Sequence, residues 1–370
     1  MRIAVTGADG FMGRNLRWRL RELGHADVVG ITRAVAPDAW AEKLRGTDIV
    51  FHLAGVNRPP DPAQYASGNA GVTDALCRAL AQAGSRAPVV YASSTQAELD
   101  NPYGRSKRAA EERLLAHGRD VGAAVHVFRL TNVFGKWSRP DYNSAVATFC
   151  HRIARGQPID VHDPDAPLRL VHVDDVVAAF TALLDRPDAQ SGLHEAGPVH
   201  DTTVGELAAT IRGFAASRET LMTPRAGTGF VRALYATYVS FMPPASFAYD
   251  VPRYPDPRGV FIEMLKTPDC GQFSCFTALP GVTRGGHYHH TKTEKFLVIA
   301  GAARFAFRHI ESGETHEIVV RGGEGRIVDK VPGWTHDITN VGEGELVVML
   351  WANEVFDRQR PDTVPMKVRP

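Results

Sequence analysis

The hydrophobic positions of residues 1–190 alternate between two periods. Short apolar runs, which are typical of buried strands, alternate with stretches in which apolar residues recur every three or four positions, as on one face of a helix. The strands are predicted at 2–7, 26–33, 48–55, 87–94 and 123–135. The helices are predicted at 12–24, 69–84 and 104–118, and further helices at 144–156 and 203–215 are expected to form a smaller substrate lobe over about 140–242. This alternation predicts a doubly wound α/β fold around a parallel sheet.

The pattern changes in a proline-rich stretch. Residues 241–259 hold five prolines and show no periodic pattern, so we interpret them as a linker. Beyond them, short β-rich runs are separated by glycines, and no strong helical pattern appears. These runs lie at 275–281, 295–301, 303–310, 316–325, 326–333, 336–344 and 345–352. We therefore predict an α/β domain over 1–245 and an all-β sandwich or barrel over 246–370.

Composition and charge exclude some classes of partner. A chain of 370 residues is long enough for two cores. With 42 Lys and Arg against 41 Asp and Glu, the net charge of +1 gives no electrostatic reason to expect nucleic acid or an anionic membrane as partner. The apolar runs are far shorter than the roughly 18 residues of a membrane span. There is no signal-peptide pattern, and four scattered cysteines suggest reduced thiols, so we expect a cytoplasmic enzyme.

A glycine pattern stands between the first predicted strand and the first predicted helix. It reads Thr6-Gly7-x-x-Gly10-x-x-Gly13. The first glycines permit a tight turn and close approach of a pyrophosphate, and the last lets the helix pack on the strand. The helix N-terminus then faces the phosphates. The pattern predicts a Rossmann-type dinucleotide site that includes Phe11 and Met12.

The end of the second predicted strand indicates which dinucleotide is bound. NAD-binding proteins place an acidic residue about 20 positions after the glycines, where it holds the ribose 2′-hydroxyl. Here the residue 20 positions after Gly13 is Arg33. A guanidinium suits a 2′-phosphate, so we expect NADP(H).

A Tyr-x-x-x-Lys pattern opens the helix predicted after the fourth strand. Tyr103 and Lys107 are four residues apart, so both side chains lie on one helical face. We expect the Lys107 ammonium to lower the pKa of the Tyr103 phenol, which would then protonate a carbonyl oxygen as hydride reaches the carbon. A hydroxyl of the segment 91–96 would hydrogen-bond the same oxygen.

These patterns together resemble the extended short-chain dehydrogenase/reductases that act on nucleotide sugars. The resemblance also rests on segments 52–55, 69–73, 129–135 and 169–176. It implies Ser94 as the catalytic hydroxyl, with Ser93 and Thr95 as alternatives, and a second role for Lys107 on the nicotinamide ribose. It further implies the following contacts: Leu53 and Ala54 with the cofactor, Asn132 with the substrate, and His172 and Asp174 in packing.

A histidine cluster stands in the β-rich half. His287 and His289 are two residues apart, which on a strand places both side chains on one face. Glu294 follows five residues later, and His336 offers a fourth ligand from far along the chain. Three imidazoles and one carboxylate suit Zn, Fe, Ni or Mn. We predict a divalent metal site, with zinc as the expected ion.

The spacing of this cluster resembles that of the cupin family of barrels. Gly281 and Gly301 complete the first cupin motif, and Gly325, Gly333 and Asn340 complete the second around His336. Pro332 stands one residue later than the pattern has it, but we expect the turn to form. His290 falls on the opposite face and is predicted to lie at the surface.

Over its whole length the chain resembles bifunctional enzymes of capsular polysaccharide synthesis that join such a reductase to such a cupin. The resemblance implies C-3 epimerisation of a UDP-2-acetamido-2,6-dideoxy-4-ketohexose in the cupin, then reduction of the C-4 ketone with NADPH, towards UDP-N-acetyl-L-fucosamine. It also implies a homodimer.

Two other functions remain open at this point. In the first, the cupin is a structural, dimerising module and only the reductase is active. In the second, the cupin is an Fe-dependent oxygenase or a sugar isomerase that acts on an unrelated substrate. The epimerising base is not assigned either, although Tyr288, Lys292 and His290 lie close to the cluster in the sequence.

Overall fold

The computed structural model describes residues 1–186, 189–251, 253–256, 259–262, 272–354 and 359–369, with the backbone alone at 253–256, 259–262 and 272–275. Its contacts divide the chain into two compact units. Unit 1 comprises residues 1–134 and 168–201. Unit 2 comprises residues 135–167 and everything from 202 onward.

The helices and strands are numbered in chain order. The helices are α1 (Phe11–Glu22), α2 (Trp40–Leu44), α3 (Val72–Gln82), α4 (Pro102–Val121), α5 (Ala145–Ile153), α6 (Val173–Thr181), α7 (Val204–Thr220) and α8 (Gly229–Ser240). The strands of the first 203 residues are β1 (Arg2–Thr6), β2 (Asp27–Ile31), β3 (Ile49–His52), β4 (Val89–Ser94), β5 (Val125–Leu130), β6 (Asn132–Phe134), β7 (Pro167–His172), β8 (Gly192–His194) and β9 (Val199–Thr203). The later strands are β10 (Ala248–Asp250), β11 (Arg253–Asp256), β12 (Gly259–Ile262), β13 (Gln272–Ala278), β14 (Thr283–Tyr288), β15 (Glu294–Ala300), β16 (Ala302–His309), β17 (Thr315–Arg321), β18 (Arg326–Lys330), β19 (Trp334–Asn340), β20 (Leu346–Ala352) and β21 (Val364–Pro365).

Unit 1 is built on a sheet of six strands in the order β2-β1-β3-β4-β5-β8. The pairs along this sheet are parallel. From β1 the chain first moves to one side, to β2, and then crosses to β3 on the other side. Ligands of doubly wound sheets bind at the carboxyl ends of the strands where such a reversal occurs. The topology therefore places the expected cofactor site between β1 and β3.

Both faces of this sheet are buried, as parallel sheets require. Val5 and Phe51 lie in the apolar cluster on one face, while their neighbours Ala4 and Val50 lie in the cluster on the other. Each fully buried side chain of the size of Val or Phe contributes roughly 1.5–3 kcal/mol to stability. The predicted Rossmann-type sheet is confirmed.

One predicted helix end is wrong. We expected the helix at 104–118 to end at Gly118, but α4 continues to Val121 and ends before Gly122, which has a left-handed φ of 70°. Gly118 serves a different purpose, because a Cβ there would lie 2.7 Å from the Ala123 carbonyl oxygen. The glycine lets the chain entering β5 pass close to the helix.

Unit 2 contains two sheets of five strands each. Their orders are β10-β18-β15-β20-β13 and β17-β16-β19-β14-β21. The pairs within them are antiparallel. The sheets meet through Phe296 of β15, whose ring centroid lies 5.7 Å from that of Phe305 on β16 and 5.8 Å from that of His336 on β19. The predicted all-β, cupin-like architecture is confirmed.

A buried ion cluster joins α7 to the first of these sheets. Asp329 accepts a hydrogen bond from Lys295 at 2.7 Å and another from Arg218 of α7. The Arg218 guanidinium lies 4.4 Å from the ring centroid of Tyr249. Burial favours the protonated carboxyl, but the two cations outweigh it and hold the pKa of Asp329 below its usual value. Removing the Asp329 carboxylate would leave Lys295 and Arg218 without a counter-charge, and a buried charge left uncompensated typically costs about 3–5 kcal/mol.

The predicted boundary at 245/246 lies within unit 2, since α5, α7 and α8 share that unit with the β strands. As a functional division, 1–245 and 246–370 stays a prediction. No helix among the described residues has both the length and the apolar composition needed to cross a membrane. Cys77 and Cys150 are free thiols, while Cys270 lies outside the described residues.

Candidate functional site

The loop from β1 to α1 is shaped by its glycines. Gly7 has a φ of 66°, and a Cβ on it would lie 2.8 Å from the backbone nitrogen of Ala54. A Cβ on Gly13 would lie 2.2 Å from the Gly7 carbonyl oxygen. Only glycine fits both positions, so the loop closes tightly against the end of β3. This brings the predicted cofactor residues 6–13 next to Leu53 and Ala54.

A buried histidine, His52, binds this loop, a role that was not predicted from the sequence. Thr73 Oγ1 donates to the Asn69 carbonyl, so it must accept from His52 Nε2, at 2.9 Å. His52 Nδ1 is then an acceptor, and Thr6 Oγ1 donates to it at 2.7 Å. Burial lowers the pKa of His52 to about 3, and the Lys107 charge adds to the effect. A neutral ring therefore connects the glycine loop to α3.

Arg33 lies two residues past the carboxyl end of β2 and is exposed. The end of β2 adjoins the glycine loop, because the Gly7 backbone N–H donates to the Ile31 carbonyl at 2.9 Å. The predicted strand end is therefore correct to within two residues. Arg33 therefore follows the strand end that contacts the glycine loop, which is the position expected from the sequence.

The structure brings Tyr103, Ser94 and Lys107 together at the end of β4. Ser94 hydrogen-bonds the Tyr103 phenol. Ser93 is engaged elsewhere, since its hydroxyl donates to the buried carboxylate of Glu111. Of the two serines, Ser94 is therefore the one that interacts with Tyr103. Asn101 caps α4 by accepting from the Gly104 N–H at 2.7 Å, which helps to place Tyr103 in the first turn.

The expected effect of Lys107 on Tyr103 is wrong for this structure. Burial raises the pKa of Tyr103 to about 12, and the hydrogen bond from Ser94 only partly opposes it. Lys107 directs its ammonium elsewhere, donating to the Ala92 carbonyl at 2.7 Å and lying 4.7 Å from the ring centroid of Tyr91. Burial lowers the pKa of Lys107 to about 8, against the charge of Glu111. Tyr103 is thus a protonated phenol at neutral pH.

The other residues implied by the reductase resemblance lie on β6, β7 and α6. Asn132 is exposed and pairs with Leu170 in the parallel β6–β7 ladder. His172 is buried, and its ring centroid lies 5.2 Å from that of Phe134. Asp174 is in the first turn of α6, where a carboxylate is favourable. The surroundings of His172 fit the packing role that we expected.

The histidine cluster of unit 2 forms between its two sheets. The ligand atoms of His287, His289 and Glu294 all lie within 4.8 Å of one another. His287 pairs directly with His336 across β14 and β19, and their ring centroids are 4.7 Å apart. His336 Nδ1 donates to the His287 carbonyl at 3.0 Å, which leaves Nε2 as the acceptor nitrogen. Gly333, with a φ of 81°, makes the expected turn after Pro332.

The protonation states of this cluster follow from burial. Burial and the nearby Lys330 ammonium lower the pKa of His287 to about 3 and that of His289 to about 4. They also hold the pKa of His336 well below its usual value. Burial alone would raise the pKa of Glu294, but Lys330 and His289 hold it well below the usual range. Neutral imidazoles and an ionised carboxylate are the forms that bind metals.

Two lysines beside Glu294 complete the cluster. Lys330 is fully buried, with Nζ 3.3 Å from Glu294 Oε2. Lys292 Nζ lies 3.1 Å from Glu294 Oε1. Lys330 could not be predicted as part of the cluster, because it lies 36 residues from Glu294 in the sequence. The register of β15 and β18 places the two residues opposite each other.

His290 is less exposed than predicted for a surface residue. It is half-buried, and its ring centroid lies 5.6 Å from that of Tyr288. The backbone explains the difference, because the His290 N–H donates to Asp362 at 2.8 Å and draws the turn inward.

Comparisons with known proteins agree with this two-part architecture. Residues 3–195 match the NAD dependent epimerase/dehydratase family, and residues 254–364 match the polysaccharide biosynthesis C-terminal domain. The chain is 55% identical, over 100% of its length and 99% of the relative, to the UDP-2-acetamido-2,6-beta-L-arabino-hexul-4-ose reductase of Pseudomonas aeruginosa.

Some solved structures resemble the whole chain, and others resemble only about 60% of it. The capsular polysaccharide assembling protein CapF from Staphylococcus aureus is 37% identical, with a TM-score of 0.68 over 100% of both chains. MoeE5 in complex with UDP-glucose and NAD is 26% identical, with a TM-score of 0.52 over 60% of this chain and 82% of that one. The chain belongs to the NAD dependent epimerase/dehydratase family and carries a polysaccharide biosynthesis C-terminal domain.

Proposed function

We propose that the chain catalyses two successive steps on one UDP-linked 4-keto sugar. The first is C-3 epimerisation of a UDP-2-acetamido-2,6-dideoxy-4-ketohexose in the β-rich part. The second is NADPH-dependent reduction of the C-4 ketone in the α/β part, towards UDP-N-acetyl-L-fucosamine. The observation that carries the proposal is the presence, in one chain, of the Ser94–Tyr103–Lys107 group and the His287–His289–Glu294 group.

The chemistry requires this order. The C-3 proton is acidic only while C-4 is a ketone, because the enolate places the charge on the C-4 oxygen. Removing that proton and returning one to the other face inverts C-3 and leaves the ketone in place. Reduction at C-4 then consumes the group on which the first step depends. A 4-ketose reductase is also what the relative from Pseudomonas aeruginosa is called, which supports the second step.

In the reductase, the residues at the ends of β1 and β3 would hold the dinucleotide. They are Thr6, Gly7, Gly10, Phe11, Met12, Gly13, Leu53 and Ala54. A reduced nicotinamide supplies the hydride when it is bound. Tyr103 supplies the proton to the carbonyl oxygen, and Ser94 holds the phenol through its hydrogen bond. Lys107 would bind the nicotinamide ribose, and Asn132 would contact the sugar nucleotide.

Arg33 is proposed to select NADPH. Replacing Arg33 with Ala is expected to lower kcat/KM for NADPH by roughly 10- to 150-fold and to leave kcat/KM for NADH nearly unchanged. A hydrogen bond between charged groups contributes about 1.5–3 kcal/mol, and each 1.4 kcal/mol is a factor of ten. Steady-state kinetics with both cofactors measure the ratio. Arg86→Ala is the matched control, since Arg86 is exposed and precedes the amino end of β4. An unchanged NADPH/NADH ratio in Arg33→Ala would rule out this role.

In the β-rich part, His287, His289, Glu294 and His336 would hold a divalent metal, with zinc as the expected ion. The residues fit such an ion, because the ligand atoms of His287, His289 and Glu294 lie within 4.8 Å of one another and are of the types that bind divalent metals. When bound, the metal polarises a carbonyl oxygen. The pKa of Glu294 is held low, so its carboxylate is ionised, and the His287 carbonyl orients the His336 ring. These side chains therefore have the charge and orientation that metal binding requires before an ion binds.

The experiment that tests the first step is hydrogen exchange at C-3. The enzyme is incubated with the 4-keto sugar nucleotide in D2O without NADPH, and deuterium at C-3 is followed by NMR. The proposal expects incorporation, since the removed proton is replaced from solvent. Absence of deuterium together with intact NADPH oxidation would show that the β-rich part does not epimerise this substrate.

A structural barrel without metal is the second candidate. It is favoured by Lys292 and Lys330, which neutralise Glu294 without an ion. Metal analysis of the purified protein separates the two, and an iron-only result would favour an oxygenase. The homodimer and the cytoplasmic location stay predictions.

A further inference from the structure

The turn that joins two of the proposed metal ligands is bound by the half-buried carboxylate of Asp362. Four residues separate His289 from Glu294. Asp362 Oδ1 accepts from the backbone N–H of His290 at 2.8 Å. Asp362 Oδ2 accepts from the backbone N–H groups of Thr291 and Lys292 at 2.7 and 2.6 Å, and from Thr291 Oγ1 at 3.1 Å. Three consecutive amides therefore point at a single side chain about 70 residues further along the chain.

Two other side chains hold the same turn from neighbouring elements. Asn353 at the end of β20 accepts from the Thr293 N–H at 3.0 Å and donates to the Thr291 carbonyl at 3.2 Å. Arg232 of α8 contacts Thr291 Oγ1 and pairs with Glu354 at 2.6 Å. The turn thus has little freedom to move relative to β20 and α8.

The segment that carries Asp362 also pairs with the strand of the first ligand. In β21, Pro365 and Val364 stand opposite His287 and Tyr288 of β14. The Met366 N–H donates to the Gly286 carbonyl at 2.8 Å, and Thr335 Oγ1 donates to the Met366 carbonyl. Residues 362–366 therefore contact the chain on both sides of His287 and next to His336.

We propose that Asp362 is a positioning residue for the metal ligands of the β-rich part. It fixes the conformation of the turn, and this conformation sets the separation of His289 from Glu294. This inference rests on the proposed metal centre. It identifies Asp362 as the residue that holds the ligand turn in place before the ion binds. Outer groups that orient ligands typically change metal affinity by about 10- to 100-fold when they are replaced.

The turn requires a carboxylate at position 362 because four hydrogen-bond donors face this side chain. Four N–H and O–H groups converge on its two oxygens. An asparagine at this position has one oxygen, and its amide N–H2 would face donors rather than acceptors. Asp362→Asn therefore keeps the size of the side chain but cannot satisfy the turn.

The test compares Asp362→Asn with the wild type in the full-length protein. Co²⁺ is titrated against a competing chelator, and the visible absorption of bound Co²⁺ reports the ligand geometry. We expect Co²⁺ affinity to fall by about 10- to 100-fold with a changed spectrum. In the metal-free protein, amide exchange of peptides covering 289–294 should accelerate by at least about tenfold. Asp250→Asn is the matched control, because Asp250 is an exposed carboxylate paired with Arg326 at 3.5 Å on the edge strand β10.

Each outcome decides a different point. Unchanged affinity and spectrum in Asp362→Asn would overturn the positioning role and leave the metal centre standing. Failure of the wild type to bind Co²⁺ would overturn the metal centre itself, and the inference with it. If Asp362→Asn does not fold, as judged by its circular dichroism spectrum and by aggregation in gel filtration, Thr291→Ala replaces it. That variant keeps the three amides and removes the hydroxyl, so Co²⁺ affinity identical to wild type would count against the proposal, and a several-fold loss would support it.

Discussion

Tyr103→Phe is expected to lower NADPH-dependent reduction of the 4-ketone by roughly 10²- to 10⁴-fold, which is the usual contribution of a positioned general acid. The phenol is protonated at neutral pH, because burial raises the pKa of Tyr103 to about 12. Phenylalanine keeps the ring and removes the proton that the carbonyl oxygen needs. The rate is measured as NADPH oxidation with an already epimerised ketone. Deuterium incorporation at C-3 without NADPH should persist in the same preparation.

The matched control for this variant is Tyr65→Phe. The ring centroids of Tyr65 and Tyr103 are 5.5 Å apart, and the Tyr65 hydroxyl donates to the Asn57 carbonyl at 3.2 Å. Removing that hydroxyl alters the surroundings of Tyr103 but not its proton, so reduction should remain within a few-fold of wild type. Equal losses in the two variants would mean that Tyr103 acts through packing rather than as the acid.

His336→Ala is expected to lower exchange at C-3 and to spare reduction, the reverse of Tyr103→Phe. Exchange of the C-3 proton should fall by at least roughly 100-fold, because a bound metal contributes several kcal/mol of charge stabilisation and each 1.36 kcal/mol is a factor of ten. Reduction of an already epimerised ketone should continue, since Tyr103, Ser94 and Lys107 belong to unit 1. Treating the wild type with a chelator should reproduce the variant, and adding zinc back should restore exchange only in the wild type.

His290→Ala is the control for this second variant. His290 belongs to the same cluster in the sequence but is absent from the group of ligand atoms within 4.8 Å. Its backbone N–H, which Asp362 holds, survives the substitution. Loss of exchange as complete as in His336→Ala, together with loss of bound metal, would show that the ligands are wrongly assigned, whereas loss of exchange with the metal retained would make His290 the proton-abstracting base. If Tyr103→Phe and His336→Ala each abolish both activities, the two-site proposal is wrong.

The fold could be predicted largely because periodicity is local. The strands β1 to β5 and the helices α1, α3 and α5 follow directly from apolar runs and three-to-four spacing. The glycine loop was predictable for a similar reason, since Gly7 and Gly13 lie within one short turn. The metal candidates His287, His289 and Glu294 are also close in sequence, and the structure brings their ligand atoms together.

The groups that escaped prediction depend on tertiary contacts. Lys330 reaches Glu294 only through the β15–β18 register, and Asp362 reaches the ligand turn only because the chain returns as β21. The pKa of Tyr103 could not be read from its spacing to Lys107 either, because burial and the direction of the ammonium decide it. The association of α7 with the β strands includes the contact of Arg218 with Asp329, about 110 residues away, and such a distant contact is not visible in the sequence.

The pairing of β15 with β18 also bears on how reliably this part of the chain folds. Glu294 stands opposite Lys330, and Lys295 opposite Asp329, so opposite charges meet on both faces of the strand pair. A slip of one residue in one direction would set Glu294 against Asp329, and in the other direction Lys295 against Lys330. Like charges directly opposite each other destabilise a sheet, and burial increases the penalty. Four charges thus make both one-residue errors unfavourable and favour the register that places Glu294 on the same side as the other ligand side chains.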